Sequence, residues 1–232
     1  MLYIIPARAG SKGLPNKNKK LLNSKPLICY TIEFALQNAK SNDIICVTTD
    51  DNEIIEIVKT RYNLEVPFVR PSNLSDDKAS TFDVVIHALD YYSNNNISFN
   101  KILLLQPTSP LRIQKDFDNI NRIYQDTRAD MVVSVKKTKE NPYFTLFEED
   151  RKGNLIKVKP SPEYKNRQDC PSVYVYNGSM YLVNTKIFLQ QLNFNFENII
   201  KYEMPDSRSI DIDTKADWVL VEYYLNHMNE NS

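Results

Sequence analysis

Leu2-Tyr3-Ile4-Ile5, followed at once by Pro6-Ala7-Arg8-Ala9-Gly10-Ser11-Lys12-Gly13-Leu14-Pro15-Asn16-Lys17-Asn18, is the stretch on which the reading of the whole chain turns. Its first four residues are a short apolar run of β character, and the segment after them is basic. That order describes a buried strand running straight into a ligand-binding loop. Gly10 and Gly13 let the backbone turn and approach a ligand closely, while Arg8, Lys12 and Lys17 supply cationic donors along the loop. Such a loop suits a polyphosphate. Neither G-x-x-x-x-G-K-[ST] nor G-x-G-x-x-G is present, so it belongs to neither common nucleotide fingerprint. The chain has only 4 glycines in 232 residues and two of them sit here, which argues against an incidental solvated loop.

At 232 residues the chain is long enough to bury a full core as a single domain. Its 29 basic and 29 acidic residues cancel, so no overall field favours nucleic acid or an anionic membrane, and neither is expected as a partner. A basic cluster in a neutral chain points instead to a local anionic ligand. No apolar run reaches membrane-spanning length, and Arg8 and Lys12 interrupt the N-terminal apolar run almost at once, so a soluble, cytoplasmic protein is expected. Cys29, Cys46 and Cys170 lie in no metal-like spacing and read as reduced thiols, two of them in the core.

Outward from the loop, the pattern alternates strand and helix. Pro26 opens a helix with Ile28, Ile32, Ala35 and Ala39 on one face. Ile44 to Thr48 is a strand ending in Thr49-Asp50, a helix covers Asn52 to Arg61, and Val66 to Val69 reads as a third strand ending at Arg70. Ser80 or Thr81 caps the next helix, whose inward stripe is Val85, Ala88, Leu89 and Tyr92, with His87 off the stripe and on the surface. Ile102 to Leu105 is a buried strand leading into Gln106-Pro107-Thr108-Ser109-Pro110-Leu111-Arg112. A helix from Gln114 to Gln125 and a strand from Met131 to Val135 complete an α/β, Rossmann-like, doubly wound and mostly parallel sheet.

From Asn141 the repeat stops. Pro142 to Glu148 and Leu155 to Val158 read as a hairpin about the turn Arg151 to Asn154, followed by an irregular basic stretch from Lys159 to Asp169. An insertion that cannot bury itself alone suits cover by a second subunit. Met180 to Val183 and Ile199 to Met204 return to strand character. Ile210-Asp211-Ile212-Asp213 alternates, so that both carboxylates share one face, and Ala216, Val219, Leu220 and Tyr223 are the expected inward stripe of the last helix.

In open α/β sheets the ligand crevice lies outside the carboxyl ends of the strands. Residues 8 to 18, Thr49-Asp50, Arg70 and residues 106 to 112 are therefore expected to converge. Paired carboxylates beside a phosphate loop suggest Mg²⁺, a hard cation held by one or two carboxylates plus phosphate oxygens. Asp211 and Asp213 are the candidates, against the alternative that Asp213 caps the last helix and Asp211 is solvated; Asp50 carries the same two readings.

Taken together, residues 5 to 18, 104 to 112, Arg167-Gln168-Asp169, Asn177-Gly178-Ser179-Met180-Tyr181 and Asp211-Ile212-Asp213 closely resemble the acylneuraminate cytidylyltransferases, or CMP-sialic acid synthetases, from residue 1 to about 226. The resemblance implies that CTP and a nine-carbon 2-keto sugar acid, a nonulosonic acid, give a CMP-sugar and pyrophosphate. It implies that Arg8, Ser11, Lys12 and Lys17 hold the triphosphate, and that Asn18, Arg70 and the Ala79-Ser80-Thr81 turn read the cytidine. Asp211 and Asp213 would bind Mg²⁺, one of them also helping to deprotonate the sugar hydroxyl. Arg167 would meet the sugar carboxylate and Gln106 its side chain, with Tyr181 and Phe194 lining the sugar pocket; core packing is the other reading of both aromatics. The family's fold further implies a homodimer, with residues 141–175 as the dimerisation insertion of a single domain spanning 1–232. Longer relatives carry an additional phosphatase-like domain, for which no room is expected here.

The chain departs from the pattern at Val175, where many relatives that use N-acetylneuraminic acid carry an arginine, and in having a single aromatic, Phe194, beside Asn195. Legionaminic, pseudaminic and deaminated sugars therefore stay open. The competing readings are a nucleotidyltransferase for another sugar, such as an eight-carbon acid or a sugar 1-phosphate, and a non-catalytic nucleotide-binding regulator.

Overall fold

The computed structural model describes residues 1–10, 13–76, 78–160, 164–191 and 193–227. In chain order, β1 (Leu2–Pro6) leads through the first loop to a small hairpin, β2 (Leu21–Leu22) and β3 (Lys25–Pro26), and then to α1 (Leu27–Asn38) and β4 (Ile44–Thr48). Next come α2 (Asn52–Tyr62), α3 (Thr81–Asn94), β5 (Lys101–Leu105), α4 (Gln114–Asp126) and β6 (Met131–Lys137). The hairpin β7 (Phe147–Glu149) and β8 (Leu155–Lys157) interrupts the series before β9 (Tyr174–Asn184), the single helical turn α5 (Thr185–Phe188), β10 (Ile199–Glu203) and α6 (Lys215–His227).

Among the described residues the main sheet has the order β10-β6-β9-β5-β1-β4. All pairings are parallel except those of β9, which runs antiparallel to both β5 and β6. The apolar runs of β1, β4 and β5 follow from this: each face is covered, so both phases of the pleat are buried. Tyr3 and Ile5 pack with α1, α2 and α4 on one face, whereas Leu2 and Ile4 pack with α3 on the other. Helix starts are chemically marked. The Asp51 side chain accepts from Glu53 N at 2.9 Å to open α2, and Ser80 Oγ accepts from Asp83 N at 3.1 Å to open α3. Cys29 and Cys46 are buried, as expected of core thiols.

Five local expectations fail. Val66 to Val69 is not a strand: a lone parallel bridge joins Val69 to Thr49, because Pro67 offers no N–H to extend the ladder. Ile210 to Asp213 keeps its alternating burial but joins no sheet, its tie to the strand ends being Ile212 N to Thr108 O at 2.8 Å. On α6 the inward face is Trp218 and Val221, packed on Leu14, Leu22, Leu27 and Ile212, while Val219, Leu220 and Tyr223 are exposed. The large indole claims the contact and turns the helix away from the stripe that periodicity alone selects. His87, expected at the surface, is half-buried edge-on to the Phe68 ring at 4.5 Å. In the expected hairpin, pairing begins only at Phe147; Asn141 O accepts from the Phe144, Thr145 and Leu146 amides and rolls the start of the segment into a turn.

Candidate active site

The first loop is fixed from two sides. Asp50, at the end of β4, accepts from Ala9 N at 2.8 Å, and Asn18 Nδ2 donates to Arg8 O at 3.2 Å. Asp50 thus shapes the loop. Lys19, just past Asn18, bridges Asp51 and Glu53 at the start of α2 at 3.0 and 2.8 Å, which pins the loop's far end.

Above the carboxyl ends of β1, β4 and β5 lies an open cleft of about 370 Å³, bordered by Arg8, Gly13, Lys17, Asn18, Arg70, Ala79, Thr81, Gln106 and Asp213 among others. Most of the residues expected to converge do so. Ser11 and Lys12 lie outside the described residues. Arg70 is almost fully buried, donating to Thr48 Oγ1 at 3.1 Å and also to the Thr48 carbonyl. Burial lowers its guanidinium to about 10, against the pull of Asp50 and with the Arg8 charge adding to the fall, so it remains cationic at neutral pH. Arg8, Lys17 and Arg70 give one wall of the cleft a positive character suited to phosphate oxygens.

Lys17 is buried, and its ammonium donates to the Ile212 carbonyl and to Asp213 Oδ1, the latter at 2.9 Å. Asp213 does not cap α6: Thr214 does, its Oγ1 accepting from Asp217 N at 3.2 Å. Asp211 keeps solvent contact, but its carboxyl lies against Gly178 and accepts from the Thr108 hydroxyl. Loss of hydration there, ahead of the Asp213 charge, holds it above the ordinary carboxylate value. Two carboxylates two residues apart, Asp213 bordering the cleft and Asp211 raised chiefly by loss of hydration, are a donor set whose chemistry fits a hard divalent cation completed by phosphate oxygens. Among the described residues no group of three or more His, Cys, Asp or Glu side chains gathers as a metal centre.

Gly13 shows why the loop is built as it is. A Cβ on Gly13 would overlap the Asp213 backbone carbonyl, so the first loop and the carboxylate segment touch only because that side chain is absent.

Other expected site residues are placed differently. Ser80 Oγ is engaged by its own helix, with Asp83, and does not border the cleft. Tyr181 and Phe194 belong to an aromatic cluster with ring centroids 6.2 Å apart, Phe194 also meeting Phe82 at 6.0 Å beside Thr81. Burial, then Asp211 and Tyr176, pushes the Tyr181 phenol up to about 12. Arg167 does not reach the cleft of its own chain; it sits in a separate groove with Lys137, Lys139 and Asn141 at the base of the insertion. Arg112, expected at the crevice, is buried beneath it and donates to Ser179 O, Ser179 Oγ and Thr31 Oγ1, each at 3.1 Å. Sequence reading passed over Asp76, which borders the cleft and accepts from Lys78 N and Ala79 N, both at 2.8 Å. An Asp two residues before a polar turn is the signal that marks such a side-chain-closed turn.

Residues 2–215 match the family model described as Cytidylyltransferase. The chain belongs to that family. It is 35% identical over 223 residues, 96% of its own length and 94% of the relative's, to the CMP-N,N'-diacetyllegionaminic acid synthase of Legionella pneumophila. It is 31% identical to the N-acylneuraminate cytidylyltransferase of Streptococcus agalactiae over 97% of this chain, which spans 53% of that longer relative. In fold it is similar to a CMP:2-keto-3-deoxy-manno-octonic acid synthetase solved with CTP, with a TM-score of 0.69 at 18% identity, covering 98% of both chains. The chain is a nucleotidyltransferase of the α/β type with a mostly parallel sheet. No helix among the described residues is long and apolar enough to cross a membrane.

Proposed function

We propose that this cytidylyltransferase activates a nonulosonic acid: it joins CTP and a nine-carbon 2-keto sugar acid to give the CMP-sugar and pyrophosphate. The observation that carries the reading is the meeting, in one cleft, of the cations Arg8, Lys17 and Arg70 with the Asp213 carboxylate. The cations suit phosphate oxygens, and the carboxylate stands directly beside one of them, Lys17. The kinship to a legionaminic acid synthase over nearly the full length of both chains supports the nine-carbon class.

In this reading Arg8, Lys12 and Lys17, with Ser11, hold the triphosphate, and Asn18, Arg70 and the Ala79 to Thr81 turn receive the cytidine. The anomeric hydroxyl attacks the α-phosphorus and pyrophosphate departs, its growing negative charge met by the cations of the first loop. Asp211 would help to take up the hydroxyl proton. Mg²⁺ would be held by Asp211 and Asp213 together with phosphate oxygens, and would supply charge neutralisation at the transferred phosphorus. Gln106, which borders the cleft, would meet the sugar side chain, whereas Tyr181 and Phe194 are packed in the aromatic cluster and do not border it.

Arg167 fits the sugar carboxylate only if it is delivered to another copy's cleft. The hairpin that precedes it exposes Phe147, Leu155 and Ile156, an apolar surface that a second copy would cover. A homodimer built through residues 141–175 accounts for both.

Pyrophosphate release tests the reading, measured with Mg²⁺, each of the four nucleoside triphosphates, and a panel of nonulosonic and eight-carbon sugar acids. Turnover with CTP and a nonulosonic acid is expected. Turnover only with an eight-carbon acid, or CTP binding with no turnover, favours instead the neighbouring sugar class or a regulator.

A further inference from the structure

The motif Asn177-Gly178-Ser179 has no part in the reaction as derived so far, yet it sits where β9 breaks register. On β6, Val133 pairs with Tyr181 and Val135 with Tyr176, so residues 177 to 180 of β9 face Ser134 alone. A bulge in the middle of a sheet interrupts the ladder and re-aims the chain, and bulges recur next to active sites. This one is bridged by side chains. Ser134 Oγ donates to Asn177 Oδ1 at 2.6 Å and accepts from Met180 N at 2.8 Å, filling the gap with side-chain hydrogen bonds.

The bulge reaches across to the carboxylate segment at two points. Asn177 Nδ2 donates to Ser209 Oγ at 2.9 Å, two residues before Asp211, and lies 3.3 Å from Met204 Sδ at the end of β10. Gly178 has φ +73, and a Cβ there would lie 3.0 Å from Asp211 Oδ2 and 3.3 Å from Ser109 Oγ. The Asp211 carboxylate therefore lies against bare backbone, where a Cβ would press it back by a few tenths of an ångström, and at a φ that favours glycine. Ser109 closes the arrangement by donating to Asn177 O at 3.2 Å.

We infer that the Asn177-Gly178 bulge is the positioning device for Asp211: Asn177 fixes the chain entering that residue, and Gly178 leaves the space its oxygen occupies. The inference rests on the proposed reading of Asp211 as a reacting-site carboxylate. Gly178 and Asn177 are positioning residues, acting through Asp211.

The test is a double-mutant comparison of Gly178→Ala, Asp211→Ala and both together. It reads kcat, KM for CTP, thermal midpoint, and Mn²⁺ affinity in the presence of CTP by electron paramagnetic resonance. Gly178→Ala is expected to lower kcat and Mn²⁺ affinity by roughly 10- to 100-fold with KM for CTP unchanged. In the Asp211→Ala background it should lower neither further, while the thermal midpoint drops equally in both backgrounds, since backbone strain does not depend on Asp211. Equal kinetic losses in the two backgrounds, or no loss in either, overturn the inference. Asp211→Ala that leaves Mn²⁺ binding and kcat intact overturns the reading of Asp211, and the inference with it. If Gly178→Ala is not recovered folded, Ser209→Ala removes the Asn177 anchor and carries the same prediction at smaller size; wild-type Mn²⁺ affinity and kcat in that variant overturn the inference.

Discussion

Lys17 Nζ lies 2.9 Å from Asp213 Oδ1, joining the first loop to the segment before the last helix across 196 positions of sequence. The ammonium is buried and the carboxylate is 74% exposed, so the pair is screened on one side. Such a pair contributes about 1 kcal/mol or less to stability. Its role is orientation: it holds a cation and a carboxylate side by side at the border of one cleft.

Asp213→Ala should therefore separate stability from function. Thermal melting is expected to move by no more than about 2–4 °C. Turnover should fall by roughly tenfold or more if the carboxylate serves the reacting site. Melting curves beside steady-state rates check this, and a large stability loss with intact turnover contradicts it.

Arg112 predicts the opposite pattern. Its guanidinium is buried, donates to Ser179, Thr31 and the Gln106 carbonyl, and lies over the Phe34 ring at 5.5 Å. Burial lowers it to about 9, with Asp116 and Asp211 opposing the fall. Arg112→Ala leaves several buried acceptors unpaired and should cost about 3 kcal/mol in a urea titration. A change within about 0.5 kcal/mol would place Arg112 among ordinary surface residues.

Tyr181 gives a pH signature. Its phenol is pushed up to about 12 in the folded chain, first by burial, whereas an unfolded tyrosine titrates near 10. Between about pH 10 and about pH 12 the unfolded chain releases a proton that the folded chain keeps, so the stability contribution, full below that window, is lost as pH rises through it. Tyr181→Phe should make the alkaline fall in stability less steep. Denaturant midpoints from neutral pH into that window measure the slopes, and equal slopes for the two proteins contradict the assignment.

The hairpin makes a third kind of prediction. Leu155 is 70% and Ile156 54% exposed, on opposite sides of one short strand and beside the exposed Phe147. A charge at Ile156, as Ile156→Glu, should convert a dimer to monomer by light scattering, with far-ultraviolet circular dichroism unchanged. A wild-type chain that is monomeric at micromolar concentration contradicts the proposed assembly.

Much of this molecule was legible in the sequence, for a physical reason. Buried parallel strands print as continuous apolar runs, so β1, β4 and β5 could be placed from residues alone, and with them the strand ends that form the cleft. Val66 to Val69 failed because apolar content does not supply the N–H that Pro67 lacks. The face of α6 failed because Ala216, Val219, Leu220 and Tyr223 satisfy the period as well as Trp218 and Val221 do; only the groove left by Leu14, Leu22 and Leu27 decides between them. Arg112 read as a crevice residue since its neighbours are; its burial depends on Ser179 and Thr31, remote in sequence and adjacent in space. The family motifs located Gly178 but not its closeness to Asp211, which exists only in three dimensions.

The most direct test of the central claim follows one oxygen. A nonulosonic acid carrying ¹⁸O at its anomeric hydroxyl is incubated with the protein, CTP and Mg²⁺, and the products are weighed by mass spectrometry. Attack on the α-phosphorus predicts a CMP-sugar that retains the label at its bridging oxygen, together with unlabelled pyrophosphate. Absence of any CMP adduct across the nonulosonic acids, while CTP still binds, would contradict the account.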